Sequence, residues 1–412
     1  MTRRLYAVRG CEEAILFYPL YALLFADAGL STAQISSLFV IWSVVSFVCE
    51  VPSGAWADSW SRRRLYAIGA FLTAAGYATW TVWPAYTGFA LGFVLWGVGG
   101  ALQSGTLEAL VYDELSAVGA ADAYARVAGR SGTVAILSML AATTLAAPVF
   151  ALGGYPLVGA FSVAVPAVGG CLALGFAETP RRERADEFGG VRGYASTLTA
   201  GLREIRRSRI VAGAVAVAAL VPGFTALDEY LPLLSRAVGA PTALVPLLFA
   251  LPALGMAVGS ALAGRWAAIA PRTLAAVLAG AGGLLAAGAL SGRLAGMVPI
   301  AVAFGALQFA IVVAETRLQQ VIGSGARATV LSVSGFAAEV CAVTIYAGVG
   351  AGGAVASTPV LVAGCALPLT ATALAVARLL PGHTRDGNPS RPAPAGDGPS
   401  GGQDSRSPSV TS

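Results

Sequence analysis

The chain reads as an all-α membrane protein of twelve transmembrane helices, arranged as two six-helix bundles with both termini in the cytoplasm. Three observations predict this. Of its 412 residues, 56% are hydrophobic and 11% charged, with a mean hydropathy of +0.73, whereas soluble domains carry about 25% charged residues. Apolar runs of roughly the ~20 residues that a bilayer crossing needs recur along the whole length. The arginines fall almost entirely in alternate connections between those runs, which is the mark of a fixed orientation.

The first six runs lie at about 5–27, 35–57, 65–84, 87–112, 127–150 and 156–177. The second six lie at about 209–233, 243–265, 272–291, 296–319, 328–350 and 357–380. The basic start Met1-Thr2-Arg3-Arg4 has no small-residue cleavage site after it and leads into a run followed at once by another, so a retained helix is expected. The domain boundaries follow: a bundle over 1–180, an arginine-rich cytoplasmic linker over 181–208, a bundle over 209–380, and a tail over 381–412. The tail is Gly, Pro, Ser and Asp with almost nothing apolar, a composition that cannot offset the entropy of ordering. With both termini inside, the cytoplasmic connections hold Arg62 to Arg64, Arg126, the linker arginines, Arg265, Arg272 and Arg327, while the opposite side holds Arg236 and Arg293.

Gly54-Ala55-Trp56-Ala57-Asp58-Ser59-Trp60-Ser61-Arg62-Arg63-Arg64 joins the second and third runs. On these residues the chain resembles the major facilitator superfamily of transporters, whose loop between helices 2 and 3 carries a glycine, an acid four residues on, and paired basic residues at its end. Gly54, Asp58, Arg63 and Arg64 match, while Ser59 and Ser61 stand where a basic residue and a second glycine are usual. The halves also repeat. Gly54 and Gly259 stand 205 residues apart, and Gly100-Ala101-Leu102-Gln103 recurs as Gly305-Ala306-Leu307-Gln308 at the same offset. The resemblance implies parallel six-helix halves with the substrate site between them near the midplane. It also implies a conformational gate in which Gly54, Asp58, Arg63 and Arg64 work with Asp113 at the end of the fourth span, Arg63 pairing with Asp113 and Asp58 facing the start of the eleventh span. Two signatures of the superfamily's drug–proton antiporters are missing: residues 91–101 hold no arginine, and the fifth-span glycine-proline motif survives only around Ala147-Pro148 and Gly153-Gly154.

Composition excludes other chemistry. All 26 basic residues are Arg, so no P-loop lysine exists to reach nucleotide phosphates. The single histidine, His383, lies in the tail, so no histidine triad, zinc motif or intramembrane histidine relay can form. A G-x-S-x-G string around Ser400 lies in the same tail, without strand–turn–helix context. The five cysteines have no C-x-x-C spacing and read as small packing residues. An enzyme, a cofactor, a metal site and a nucleic-acid partner are therefore not expected. The expected partners are a small-molecule substrate, protons and the lipid of the cell membrane, with the protein a monomer.

Carboxylates inside spans carry the functional expectations, because each costs about 2.5–3.5 kcal/mol to insert at a helix centre. Glu339 lies midway through the eleventh run with no cation within a turn. Glu12 and Glu13 follow Arg9 by three and four residues, within reach of a pair on one helix face. Tyr18 and Tyr21 come next, with Pro19 between them to loosen the backbone. Gln103 and Glu108 belong to the fourth run, Gln308 and Glu315 to the tenth. Glu12, Glu13, Tyr18, Gln103, Glu108, Gln308, Glu315 and Glu339 are the candidate proton and substrate residues; helix packing stays open for Gln103, Gln308 and Glu339, and structural pairing with Arg9 for Glu12 and Glu13. Asp228-Glu229-Tyr230 reads as a solvated end of the seventh run. The leading expectation is a secondary transporter working by alternating access and exporting an amphipathic compound against protons. Uptake of a sugar or organic acid by symport, or a non-transporting receptor or scaffold on the same fold, stays open at this point.

Overall fold

The computed structural model describes residues 2–178, 208–322 and 327–380, together with residues 199, 202, 203, 205 and 206; the side chains of residues 51, 55, 57–59, 327 and 328 are not described. The tail and most of the linker lie outside the described residues, which contain helices and connections and no strand.

The first half is built from α1 (Thr2–Glu13), α2 (Tyr21–Asp27), α3 (Thr32–Ser59), α4 (Arg62–Val82), α5 (Tyr86–Gln103), α6 (Thr106–Ala117) and α7 (Tyr124–Leu174). The second half holds α8 (Arg209–Gly223), α9 (Leu231–Ala237), α10 (Val245–Trp266), α11 (Pro271–Leu290), α12 (Met297–Val321), α13 (Arg327–Gly352), α14 (Thr358–Gly364) and α15 (Ala366–Leu379). Among the described residues, ten helical stretches are long and apolar enough to cross a bilayer. The sequence expectation of twelve differs for two local reasons. The first run is broken between α1 and α2, leaving neither piece long enough alone. The fifth and sixth runs are continuous as α7, whose 51 residues would measure about 75 Å if straight. α7 changes direction at Gly154, with φ 59° and ψ −157°, a conformation open in practice only to glycine.

Capping fixes where these helices begin. Ser31 and Gln34 form a reciprocal capping box at the start of α3, with Ser31 Oγ accepting from the Gln34 N–H at 3.3 Å and Gln34 Oε1 from the Ser31 N–H at 3.0 Å. Ser61 caps α4 by accepting from the Arg64 N–H at 3.4 Å. That is a local reason for serine at the position where the family loop usually has glycine.

Glycines set the closest helix approaches. Gly69 on α4 lies against the carbonyl of Gly99 on α5, and Gly76 against that of Gly92; an added Cβ would come within 2.6 and 2.7 Å of those oxygens. In the second half Gly255 and Gly259 of α10 lie against the Ala301 and Gly305 carbonyls of α12. Such backbone contact is how helices gain dispersion energy where lipid gives no hydrophobic drive.

The halves meet along α3 with α13 and α7 with α10. One large apolar core takes residues from both halves: Phe25, Phe39, Trp80 and Phe93 from the first, Tyr230, Leu231 and Tyr346 from the second. Its first-half residues lie away from the arginine clusters, whereas in the second half it runs on to Ala263 and Leu274, two residues from Arg265 and Arg272. Two smaller cores at the arginine-rich end are each confined to one half. Leu5, Val8, Tyr66, Leu107 and Phe176 pack together within the first half, and Val211, Val215, Leu318, Ile322 and Val330 within the second.

Gly259→Ala is expected to lower the melting temperature clearly, because the new methyl group collides with a backbone carbonyl that cannot rotate away. Gly264→Ala on the same helix meets nothing within 4 Å and gains up to about 1 kcal/mol of helix propensity, so its melting temperature should hold or rise. Equal melting shifts for the two variants would contradict the close-packing account.

Candidate functional site

α1 stops at Glu13, and the backbone runs irregularly through Ala14 to Leu20 before α2 begins. Pro19 cannot donate a backbone hydrogen bond and helps interrupt the helix. Inside a bilayer the groups freed by such a break need internal partners. Part of that requirement is met from α7: Ser162 Oγ, fully buried, accepts from the Phe17 N–H at 3.1 Å. The fourth span is broken as well. α5 ends at Gln103, Gly105 takes a left-handed conformation with φ 66°, and α6 begins at Thr106. Glu108 lies in the first turn of α6, where the positive end of the helix dipole favours a carboxylate.

The two breaks face each other across a cavity of about 350 Å³ lined by α1, α4 and the α5–α6 junction. Arg9 lies between two carboxylates, donating to Glu12 Oε2 at 2.7 Å and Glu108 Oε1 at 2.8 Å. Tyr66 adds a hydrogen bond to the same Glu12 oxygen at 3.1 Å. Glu13, Tyr18, Tyr77, Trp96 and Gln103 complete the wall used here. Five of the eight residues expected from sequence to bind substrate or protons, namely Glu12, Glu13, Tyr18, Gln103 and Glu108, thus come together at one cavity.

The other three lie elsewhere. Gln308 donates to Ser260 Oγ at 3.2 Å, joining α12 to α10. Glu315 is exposed on α12. Two residues on, Arg317 is 1% exposed and donates to the carbonyls of Ala267, at 3.4 Å, and Ile269, where a buried cation complements the C-terminal end of α10. Glu339 is half-buried on α13, close enough to the exposed Glu50 of α3 for the two carboxylates to repel across the junction of the halves.

Asp228-Glu229-Tyr230 corrects the reading of a solvated helix end. These residues belong to a 3-10 segment, Phe224–Tyr230, between α8 and α9, so the seventh span continues past them. Tyr230 is fully buried and hydrogen-bonds Ser36 of α3 at 2.7 Å, while Glu229 accepts from the Tyr21 hydroxyl of α2. Both contacts cross from one half to the other. Arg236 of α9 adds a third link to Asp27, which also accepts from Tyr155 at 2.6 Å. No pattern in the sequence marks these partners, because they lie about 200 residues apart in the chain.

The loop after α3 is organised differently from its expected pairing. The guanidinium on Asp113 is that of Arg62, at 2.6 Å. Arg63 instead donates to the Phe176 carbonyl at 2.8 Å and lies 3.6 Å from Glu178. Successive residues on a helix point about 100° apart, so adjacent arginines on α4 reach different neighbours. Glu178 also accepts from the Arg62 backbone N–H at 2.6 Å and from Ser61, capping the first turn of α4. Gly54 is exposed with open space around it, and Arg64 is exposed. The side chains of Asp58 and of Arg327 and Ala328, at the start of α13 that it is expected to face, lie outside the described residues.

With this geometry in hand, the comparisons identify the class. Residues 6–343 match the Major Facilitator Superfamily, and the chain belongs to that family. Among solved structures it is similar to the nucleoside transporter NupG, with a TM-score of 0.71 at 12% identity over 91% of this chain and 98% of that one. It is similar to an auto-inhibited peptide transporter of the POT family, with a TM-score of 0.69 at 14% identity over 95% and 98%. The D-xylose–proton symporter gives a TM-score of 0.64 at 14% identity over 92% and 97%. At these identities the likeness is one of fold. No curated protein matches the sequence.

Glu178→Gln removes the charge that caps α4 and faces Arg63. It should destabilise the protein by about 1–2 kcal/mol, the worth of a charge at a helix N-terminus with charge-assisted hydrogen bonds. Asp113→Asn touches a more exposed pair and should cost at most about 1 kcal/mol. Melting temperatures of the purified variants check the order; a larger loss in Asp113→Asn would reverse the assignment of the main tie.

Proposed function

We propose that this protein is a secondary active transporter that moves a small molecule through the cell membrane by alternating access, exporting an amphipathic compound in exchange for protons. The observation that carries the reading is the uneven joining of the halves: the cross-half hydrogen bonds Tyr21–Glu229, Ser36–Tyr230 and Asp27–Arg236 lie at one end, and the cores confined to a single half lie at the other. The arginine clusters assign the separated end to the cytoplasm. The conformation is then inward-facing, with the polar cavity on the path between that end and the closed outer core. In the same reading the chain crosses the membrane twelve times, α1 with α2 forming one broken span and α7 two, with both termini cytoplasmic.

Outward opening requires α3 to part from α13 near Ser36. A Cβ added at Gly350 would lie 2.9 Å from the Ser36 Cβ, a short relaxation from the ~3.5–4.5 Å of disulfides. In a background without the native cysteines, the S36C/G350C pair should cross-link on oxidation and stop flux in proteoliposomes, and reductant should restore it. Undiminished flux from the fully cross-linked protein would overturn alternating access through this gate.

Coupling is assigned to carboxylates, with Glu339 as the first choice because it faces Glu50 where the halves separate. Glu339→Gln preserves shape but cannot exchange a proton. It should abolish flux driven by a pH gradient while leaving substrate exchange without a gradient intact. Unchanged driven flux would return Glu339 to a packing role.

A further inference from the structure

The cavity between α1, α4 and the α5–α6 junction has a charge imbalance that its internal pairing does not remove. Its wall carries Arg9 and three carboxylates, Glu12, Glu13 and Glu108. The single guanidinium is already held by Glu12 and Glu108. The Glu13 carboxylate makes no hydrogen bond or ion pair among the described residues, although Glu13 is only partly exposed and is the last residue of α1. A helix C-terminus carries partial negative charge, so this position repels a carboxylate and attracts a cation. The local field therefore favours a positive group beside Glu13.

Another part of the wall is aromatic. Tyr18 and Trp96 have ring centroids 5.8 Å apart, and Tyr77 and Trp96 5.6 Å. Ring faces offer both apolar area and attraction for a cation. A second feature points independently to a ligand. Tyr77 lines the cavity, and its fully buried hydroxyl has no hydrogen-bond partner among the described residues. Tyr18 is its near neighbour without reaching hydrogen-bond geometry. Leaving a buried hydroxyl unpaired is costly unless something else fills the role.

The geometry points to a binding subsite for a small organic monocation with a flat apolar body. Its charged group lies against Glu13 and the end of α1, its body on Tyr18 and Trp96, and a hydroxyl or carbonyl on that body meets Tyr77. This rests on the transporter reading and names the charge class of its substrate. The ~350 Å³ volume suits a compound of one or two rings, near the small end of ligand pockets. Arg9, neutralised by its two partners, is a positioning residue that keeps Glu12 and Glu108 from competing for the ligand.

Three probes of one shape separate charge from shape: the methylphenylpyridinium cation, its neutral parent phenylpyridine, and the phenylbenzoate anion. Binding is measured by calorimetry on the purified full-length protein in lipid nanodiscs at neutral pH. The cation should bind at least about tenfold more tightly than the neutral probe, and the anion most weakly. In Glu13→Gln the cation should lose about tenfold while the neutral probe is unchanged, which also shows that the variant is folded. A hydroxyphenyl analogue of the cation should gain affinity over its parent in the wild type but not in Tyr77→Phe. Equal or tighter binding of the neutral probe or the anion in the wild type, or a cation indifferent to Glu13→Gln, overturns the assignment. Flux of the same probes in proteoliposomes is measured in parallel. Glu13-dependent cation binding without flux supports the subsite and counts against the transport reading. Flux of the neutral or anionic probe without such binding overturns the subsite and leaves transport standing.

Discussion

A lipid bilayer offers no water to backbone amides, so every break in a spanning helix needs its own internal partners. The break between α1 and α2 depends on that constraint being met. It leaves backbone groups unpaired in the middle of the bundle, and Ser162 of α7 supplies a partner for the one at Phe17. Because that debt is settled on the α7 side, the opposite side of the break can face a cavity. Glu13 and Tyr18 then sit where a continuous helix would have carried them round its own surface. The α5–α6 break at Ser104 and Gly105 opens the facing wall in the same way.

The two halves use their repeated architecture for different ends. In the first half, charge collects at the cavity, where Arg9 holds Glu12 and Glu108. In the second half, the matching region is closed by backbone contact: Gly259 and Gly305 lie against one another's helices, while Gly54 and Gly100, at the equivalent positions of the repeat, have open space. Gln103 accordingly lines the cavity, and Gln308 is engaged with Ser260 between α12 and α10. The carboxylate that the second half brings inward is Glu229, and it serves the contact with α2 rather than the cavity.

This division explains what the sequence could and could not reveal. The helical membrane fold followed from composition and the apolar runs, since those properties are summed over many residues. The acids of the first-half cavity stood out because each is an isolated cost in an apolar run, whereas Tyr77 and Trp96 did not, because aromatic rings in apolar runs are ordinary core residues. The Tyr21–Glu229 and Ser36–Tyr230 contacts were not legible, because a 3-10 segment turns an apparent span end inward and no local signal marks a partner half the chain away. The choice of Arg62 rather than Arg63 for Asp113 depends on where α4 begins, which Ser61 and Glu178 fix together. Along the sequence, Glu178 opens the polar, arginine-rich stretch that leads into the linker. Only the folded chain brings it back to the start of α4.

The materials of the outer closure suit a contact that must also open. A two-state equilibrium that a ligand or a proton is to reverse needs states within a few kcal/mol of each other. Hydrogen bonds such as Ser36–Tyr230 contribute about 0.5–1.5 kcal/mol each, and one to a charged acceptor, as from Tyr21 to Glu229, about 1.5–3. The Asp27–Arg236 pair is partly exposed and worth about 0–1 kcal/mol. The edge-on contact of Phe39 with Tyr230 adds about 0.5–1.5. A seal made from such links can be tipped by a change at one of them. Asp27 and Glu229 are the members whose charge can change, and a protonated Glu229 is a weaker acceptor for the Tyr21 hydroxyl than an ionised one. The strength of the outer seal and the charge state of one acid in the seventh span are therefore linked through a single cross-half hydrogen bond.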